Sequence, residues 1–236
     1  MLLASRASAD DILAEWWARS APASAAPATN YPTAYTNLVA WYTYSSGGGD
    51  LQLDSSGYNN ICTQGTASAQ PTITNGYAAF DGGDWLATTN AALLNGSASN
   101  TITTWVWLDT ANDYAGLATV RGTHFLGLAI DTFASGRALA YVPGAGYQNT
   151  NAYFPTGTWF FAASVFKTSA QGVCDVNGTN RAFSSGSVNW VVDDYWQIGR
   201  DESGTRRITG RLDDTRIYNR DLSTNELNSV MLEGRR

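Results

Sequence analysis

Apolar and polar residues alternate with period two in short runs along most of the chain, and this period constrains the fold more than any other feature. Residues 101–108 read TITTWVWL. Ile102, Thr104, Val106 and Leu108 fall on one side of an extended segment, and Trp105 and Trp107 on the other. Residues 159–166, WFFAASVF, are almost wholly apolar and suit a central strand buried on both faces. Further segments of this kind occur at 38–42, 76–80, 85–88, 117–120, 124–130, 138–142, 173–176, 195–198 and 212–218. Gly-, Asn- and Asp-containing turns separate them, and Asn177-Gly178 is a strong hairpin signal. Short strands at fairly even spacing predict an all-β fold, a two-sheet antiparallel jelly-roll sandwich. The stretch 147–153, YQNTNAY, has loop composition.

The closing stretch 210–227, GRLDDTRIYNRDLSTNEL, holds a strand, a turn and the start of a helix. Regular alternation places Asp213 on the face of Thr215 and Ile217, and Asp214 on the opposite face as a surface or pairing group. Ser223 to Glu226 forms an S-x-x-E capping box. Leu227, Val230 and Met231 then line one side of a short C-terminal helix.

The N-terminus has a different character. Residues 8–19 read as a short helix, with Ser8 as cap and Asp10 and Asp11 at its positive end. Ile12, Leu13, Trp16 and Trp17 share one side. Two adjacent Trp on such a helix need a partner surface, either on their own domain or on another subunit. Residues 21–37 contain Pro22, Pro27 and Pro32 among alanines. An extended Pro-rich tether at about 3.1 Å per residue reaches on the order of 50 Å. The organisation expected is therefore an arm at 1–20, a tether at 21–37 and one globular domain at 38–236.

A net charge of −6 with no basic block argues against nucleic acid and anionic membranes as partners. No apolar run approaches the ~20 residues that span a bilayer. Arg6, Asp10 and Asp11 break up any signal-peptide core, so a protein used without Sec export is expected. The wide spacing of Cys62 and Cys174 is neither a metal knuckle nor a redox pair. Two buried free thiols and a single disulfide are both open.

Several phrases, taken in order, resemble the laminin G-like branch of the concanavalin A-like lectin/glucanase jelly rolls. They are LVAWY…DSSGYNN, YAAFDGGDWL, TITTWVWL, TWFFAASVF with VNG, YWQIGRD and GRLDDTRIYNRDLSTNEL, and they cover about residues 38–234. Phe160 and Phe161 stand where the family has polar residues, and Cys174 where it has an aromatic. The first 37 residues match nothing in it. The resemblance implies a structural Ca2+ held by Asp213, with carbonyl oxygens from the Asp81-Gly82-Gly83 turn and from near 38–41. Glycines at 82 and 83 let backbone oxygens turn inward. The other reading of Asp213 is that it caps turn amides or pairs with Arg211 or Arg216.

Catalytic residues are not apparent. The single His124 argues against a histidine relay. Glycoside hydrolysis needs two carboxylates facing one bond. The E-x-D-x-x-E strand of the family's laminarinase-like members is missing, and the four Glu are Glu15, Glu202, Glu226 and Glu233. The pairs Asp193-Asp194 and Asp201-Glu202 read as solvated loop acids, so no enzymatic activity is expected. Sugar binding would use exposed aromatics with neighbouring amides, for which Tyr147, Asn149, Tyr153, Tyr195 and Trp196 are the candidates.

The function expected is a non-enzymatic structural or adhesive subunit, a phage virion accessory protein with a lectin-like head. Its arm would dock on other virion subunits within a homo-oligomeric assembly formed in the host cytoplasm, and its head would meet a cell-surface glycan. The alternative is a secreted or surface bacterial carbohydrate-binding module, which would be extracellular.

Overall fold

The computed structural model describes residues 35–45, 51–52, 54–64, 69–74, 76–88, 99–112, 114–121, 126–131, 136–142, 146–167, 172–183, 195–201 and 203–235. Ile12, Leu13, Trp16, Trp17, His124, Asp193, Asp194 and Glu202 lie outside them, with the arm and most of the tether.

Sixteen strands of the described residues form two eight-stranded antiparallel sheets. The first sheet runs β14 (Thr179–Phe183), β13 (Gly172–Val176), β12 (Trp159–Lys167), β7 (Ser99–Thr110), β16 (Thr209–Tyr218), β5 (Tyr77–Asp81) and β4 (Thr72–Thr74). Its eighth strand, β1 (Leu38–Tyr42), pairs with the far end of β16. The second sheet runs β11 (Gly146–Tyr153), β10 (Arg137–Val142), β9 (Leu126–Asp131), β8 (Gly116–Arg121), β15 (Tyr195–Ile198), β6 (Leu86–Thr88), β3 (Cys62–Gln64) and β2 (Leu51–Gln52). The jelly-roll sandwich is thus as expected. The 147–153 stretch, expected as a loop, is edge strand β11.

The alternation decides which side chains meet between the sheets. Ile102, Val106 and Leu108 of β7 join Phe160, Leu212 and Ile217 from the first sheet. Leu128, Ile130, Ala138, Ala140, Trp196 and Ile198 face them from the second. Cys62 and Cys174 are buried in this core as free thiols, and burial pushes each up to about 12. The hairpin at Asn177-Gly178 has φ of 51° and 79°, both left-handed, the geometry that Asn-Gly favours in a two-residue turn.

The outer face of the first sheet is buried too at one end. Helix α1 (Thr224–Leu232) lays Leu227 and Val230 against Phe161, Ala163, Val165 and Tyr218. This explains Phe161, which stands where the family has a polar residue. Both faces of β12 are buried from Phe160 to Phe166, which suits its largely apolar sequence. Tyr35 and Trp41 pack at the rim of the same cluster. Arg220 donates to the Thr36 carbonyl at 2.8 Å, so the last tether residues belong to the domain.

The capping box forms as its sequence predicts, with Ser223 accepting from the Glu226 N–H and Glu226 accepting from the Ser223 N–H. Burial pushes the Glu226 carboxyl up, but Arg220 and the Ser223 N–H and hydroxyl outweigh it and hold the group down, from 4.5 to about 2. A depressed pKa contributes stability above the unfolded value and loses it as pH falls through the folded one. Urea unfolding of the native protein should therefore lose part of its stability between 4.5 and about 2. Glu226→Gln should lower stability at neutral pH by about 1 kcal/mol and flatten that part of the pH profile. Equal acid sensitivity in both proteins would refute the assignment.

Candidate functional site

Strand β11 is an edge strand, so among the described residues one side of it has no neighbour in its sheet. Its pairing with β10 slips between Ala138 and Leu139, where Ala138 meets Ala152 and Leu139 meets Asn149. Two extra residues, Thr150 and Asn151, are taken up there, and Asn151 has φ of 53°. Thr150 is buried and donates its hydroxyl to the Ala138 carbonyl. The Asn149 carboxamide accepts from the Asn151 N–H at 2.9 Å, and both asparagines are exposed. At the strand's end Tyr153 is 55% exposed, and the Arg137 guanidinium carbon lies 5.8 Å from its ring centroid. Arg137 is the residue directly opposite Tyr153 in the ladder. This edge therefore presents the Tyr153 ring and two side-chain amides to solvent, with the half-buried Arg137 beside the ring, groups that stack on a sugar ring and hydrogen-bond its hydroxyls.

Trp196 and Tyr195 do not join it. Trp196 is 1% exposed and lies in the core, so it cannot stack on a ligand. Tyr195, on β15, is four strand positions from β11, about 19 Å at ~4.8 Å per strand. Tyr147 is on β11 opposite Tyr141. Arg137 is the member that the sequence reading missed.

The expected calcium ligands are also dispersed. Asp81 pairs with Thr209 at one end of β16, whereas Asp213 lies four residues further along, about 13 Å at ~3.3 Å per residue. The Gly83 carbonyl accepts from Arg207 at 2.6 Å, and the Asp81 carboxylate accepts from the Gly83 N–H at 2.7 Å. Burial pushes the Asp84 carboxyl up; the Asp81 N–H offsets part of this and the Asp81 charge adds to it. Among the described residues no three His, Cys, Asp or Glu side chains group as a metal site. The strand register thus separates Asp213 from the 81–83 turn.

Asp213 does not share a face with Thr215 and Ile217. A bulge at Asp214, with φ of 48°, inserts a residue between the pairs Asp213–Trp105 and Arg216–Thr103. The phase of β16 reverses across it. Thr215 bonds Thr104 and Tyr44 on the core side, while Asp213 lies 3.9 Å from Arg235 on the outer side. Asp214 is a pairing group, fully buried in an ion pair with Arg216.

Asp201, expected as a solvated acid, is 0% exposed and accepts from the N–H groups of Thr205 and Arg206 and from the Ser203 hydroxyl. It organises its own loop. Glu226 caps α1 and Glu233 pairs with Arg216.

Solved structures share this fold. Trypanosoma rangeli sialidase matches with a TM-score of 0.66 at 15% identity, over 94% of this chain and 38% of that one. The same sialidase with 2,3-difluorosialic acid as a covalent intermediate matches with a TM-score of 0.64 at 17% identity, over 89% of this chain and 34% of that one. The chain thus spans about a third of the sialidase's length. Domain 4 of AbnA, a GH43 extracellular arabinanase from Geobacillus stearothermophilus, in complex with arabinotriose, matches with a TM-score of 0.64 at 16% identity. That match covers 82% of this chain and 98% of the domain. These neighbours correct the expectation of a chain without enzymatic activity. The fold recurs within enzymes, so the missing carboxylate strand is no ground for excluding activity. No curated protein matches the sequence. A laminin G model, described as the concanavalin A-like lectin/glucanases superfamily, matches residues 80–228, more than half of the chain, and the protein belongs to that superfamily.

Proposed function

We propose that the domain is a lectin-like adhesive head that binds oligosaccharide at the β11 edge. The exposed ring of Tyr153, backed by Arg137 and flanked by the Asn149 and Asn151 amides, carries this reading. Support also comes from the arabinanase domain, nearly all of which this chain covers and whose structure holds arabinotriose. The Trp-bearing arm and its tether support a further step, in which a larger particle such as a phage virion carries the head.

Calorimetric titration with a panel of neutral oligosaccharides, arabinotriose included, tests the reading. At least one should bind, and Tyr153→Ala should weaken it by about tenfold or more, the scale of ~1.4 kcal/mol or greater, with the melting temperature unchanged. A blank panel, or a Tyr153→Ala protein that binds as well as the native one, would refute it.

A further inference from the structure

Away from α1, the first sheet's outer face carries a row of half-buried side chains across four strands. Trp159 of β12 lies opposite Trp107 of β7, and Trp107 opposite Arg211 of β16. Arg211 in turn lies opposite Ala79 of β5, which also supplies Tyr77. The rings touch, with centroids 6.2 Å apart for Trp107 and Trp159 and 6.1 Å for Tyr77 and Trp159. The Arg211 guanidinium stands 5.0 Å from the Trp107 centroid and 5.8 Å from that of Tyr77. Arg235, from the C-terminal tail, stands 3.9 Å above Trp159.

Four other arginines have protein oxygens as partners. Arg206 pairs with Asp201, Arg207 donates to the Gly83 carbonyl, Arg216 pairs with Asp214 and Arg220 with Glu226. Arg211 has aromatic rings as its neighbours and, among the described residues, no protein acceptor. Neither nearby acid is hydrogen-bonded or ion-paired to it. Asp213 lies 3.9 Å from Arg235, and Asp109 accepts from the Trp107 indole at 2.9 Å.

We propose that this row is a docking site for an acidic segment of a partner polypeptide, with Arg211 as its reader of carboxylates. A guanidinium held between rings loses little further freedom on binding, and its planar fork matches a carboxylate. The guanidiniums already stand over the Trp107 and Trp159 rings, so the row offers N–H edges rather than open faces for a sugar to stack on. Four strands span about 14 Å at ~4.8 Å spacing, the length of roughly four extended residues. The row is distinct from the β11 edge, which belongs to the other sheet.

The test is titration of the intact protein with an oligo-aspartate peptide, with oligo-asparagine and oligogalacturonate as comparisons. The aspartate peptide should bind, more weakly as salt rises, and the asparagine peptide should not. Arg211→Gln should lower affinity by about tenfold, the scale of one charge-assisted hydrogen bond. Arg211→Lys, which keeps the charge and loses the fork, should lose most of that affinity too, with an unchanged near-UV spectrum. Tyr153→Ala should leave peptide binding intact. No peptide binding, binding indifferent to both Arg211 variants, or binding of oligogalacturonate alone would overturn the proposal.

Discussion

Replacing Arg216 by alanine is expected to lower stability by about 3–5 kcal/mol, the scale for breaking a buried ion pair from one side. Arg216 is 0% exposed on the outer face of β16. Its guanidinium donates to both Asp214 oxygens, at 3.1 and 2.8 Å, and to Glu233 at 2.7 Å. It also stands 4.6 Å from the Trp41 centroid. Burial alone would push the group's pKa down, but Asp214, Tyr218 and Glu233 outweigh burial and raise it well above its usual value. The side chain therefore stays charged and joins three elements, with Asp214 in the sheet, Glu233 at the end of α1 and Trp41 in β1. Truncation leaves the 0% exposed Asp214 carboxylate without its counter-ion. Equilibrium urea unfolding should show a large fall in midpoint. Asp214→Asn in the Arg216→Ala background should cost much less than Asp214→Asn alone, because the charge it removes is already uncompensated. Additive losses would show that the pair does not act as a unit.

The sequence was legible wherever the chain keeps one period over several residues. The eight residues of TITTWVWL place Ile102, Val106 and Leu108 in the core and Trp105 and Trp107 outside it, as the structure does. The Asn177-Gly178 turn and the Ser223 cap were legible because each depends on one local backbone conformation that few residues supply. What failed was phase. The bulge at Asp214 shifts β16 by one residue, so strict alternation misplaces Asp213. Strand β11 was hidden for a similar reason, since its two extra residues break the alternation and its composition is that of a solvated edge. Pro143-Gly144, between two segments of similar length, was a usable sign of a turn joining two strands. Trp196 could have been placed from Ile198. Residues two apart in a strand share a face, and an isoleucine is the better guide to which face is buried. The β11 edge was only half legible, because Arg137 meets Tyr153 through pairing register and not through sequence proximity.

Gly199→Ala should be nearly as damaging as the loss of Arg216, although it adds one methyl group. Gly199 follows β15 with φ of 85°, in the left-handed region that costs other residues about 1–3 kcal/mol. Its backbone is held on both sides, with its N–H donated to the Leu117 carbonyl at 2.9 Å and its carbonyl accepting from Ile208 at 3.0 Å. The chain therefore cannot relax to another conformation without breaking pairs. A Cβ there would lie 2.3 Å from Cε1 and 2.5 Å from Cδ1 of Phe80, a core ring that is 3% exposed. Forcing a methyl into a packed core adds about 1–3 kcal/mol. The two terms give roughly 2–6 kcal/mol, and a domain of this size loses about 2–4 °C of Tm per kcal/mol. Backbone strain and ring contact can be separated with Phe80→Leu, which withdraws the ring and leaves φ unchanged. The double variant should be more stable than the sum of the single losses predicts, by about 1 kcal/mol or more. If the losses simply add, the ring contact contributes nothing and the cost lies in the backbone; if Gly199→Ala melts with the native protein, Gly199 is not held in the left-handed conformation.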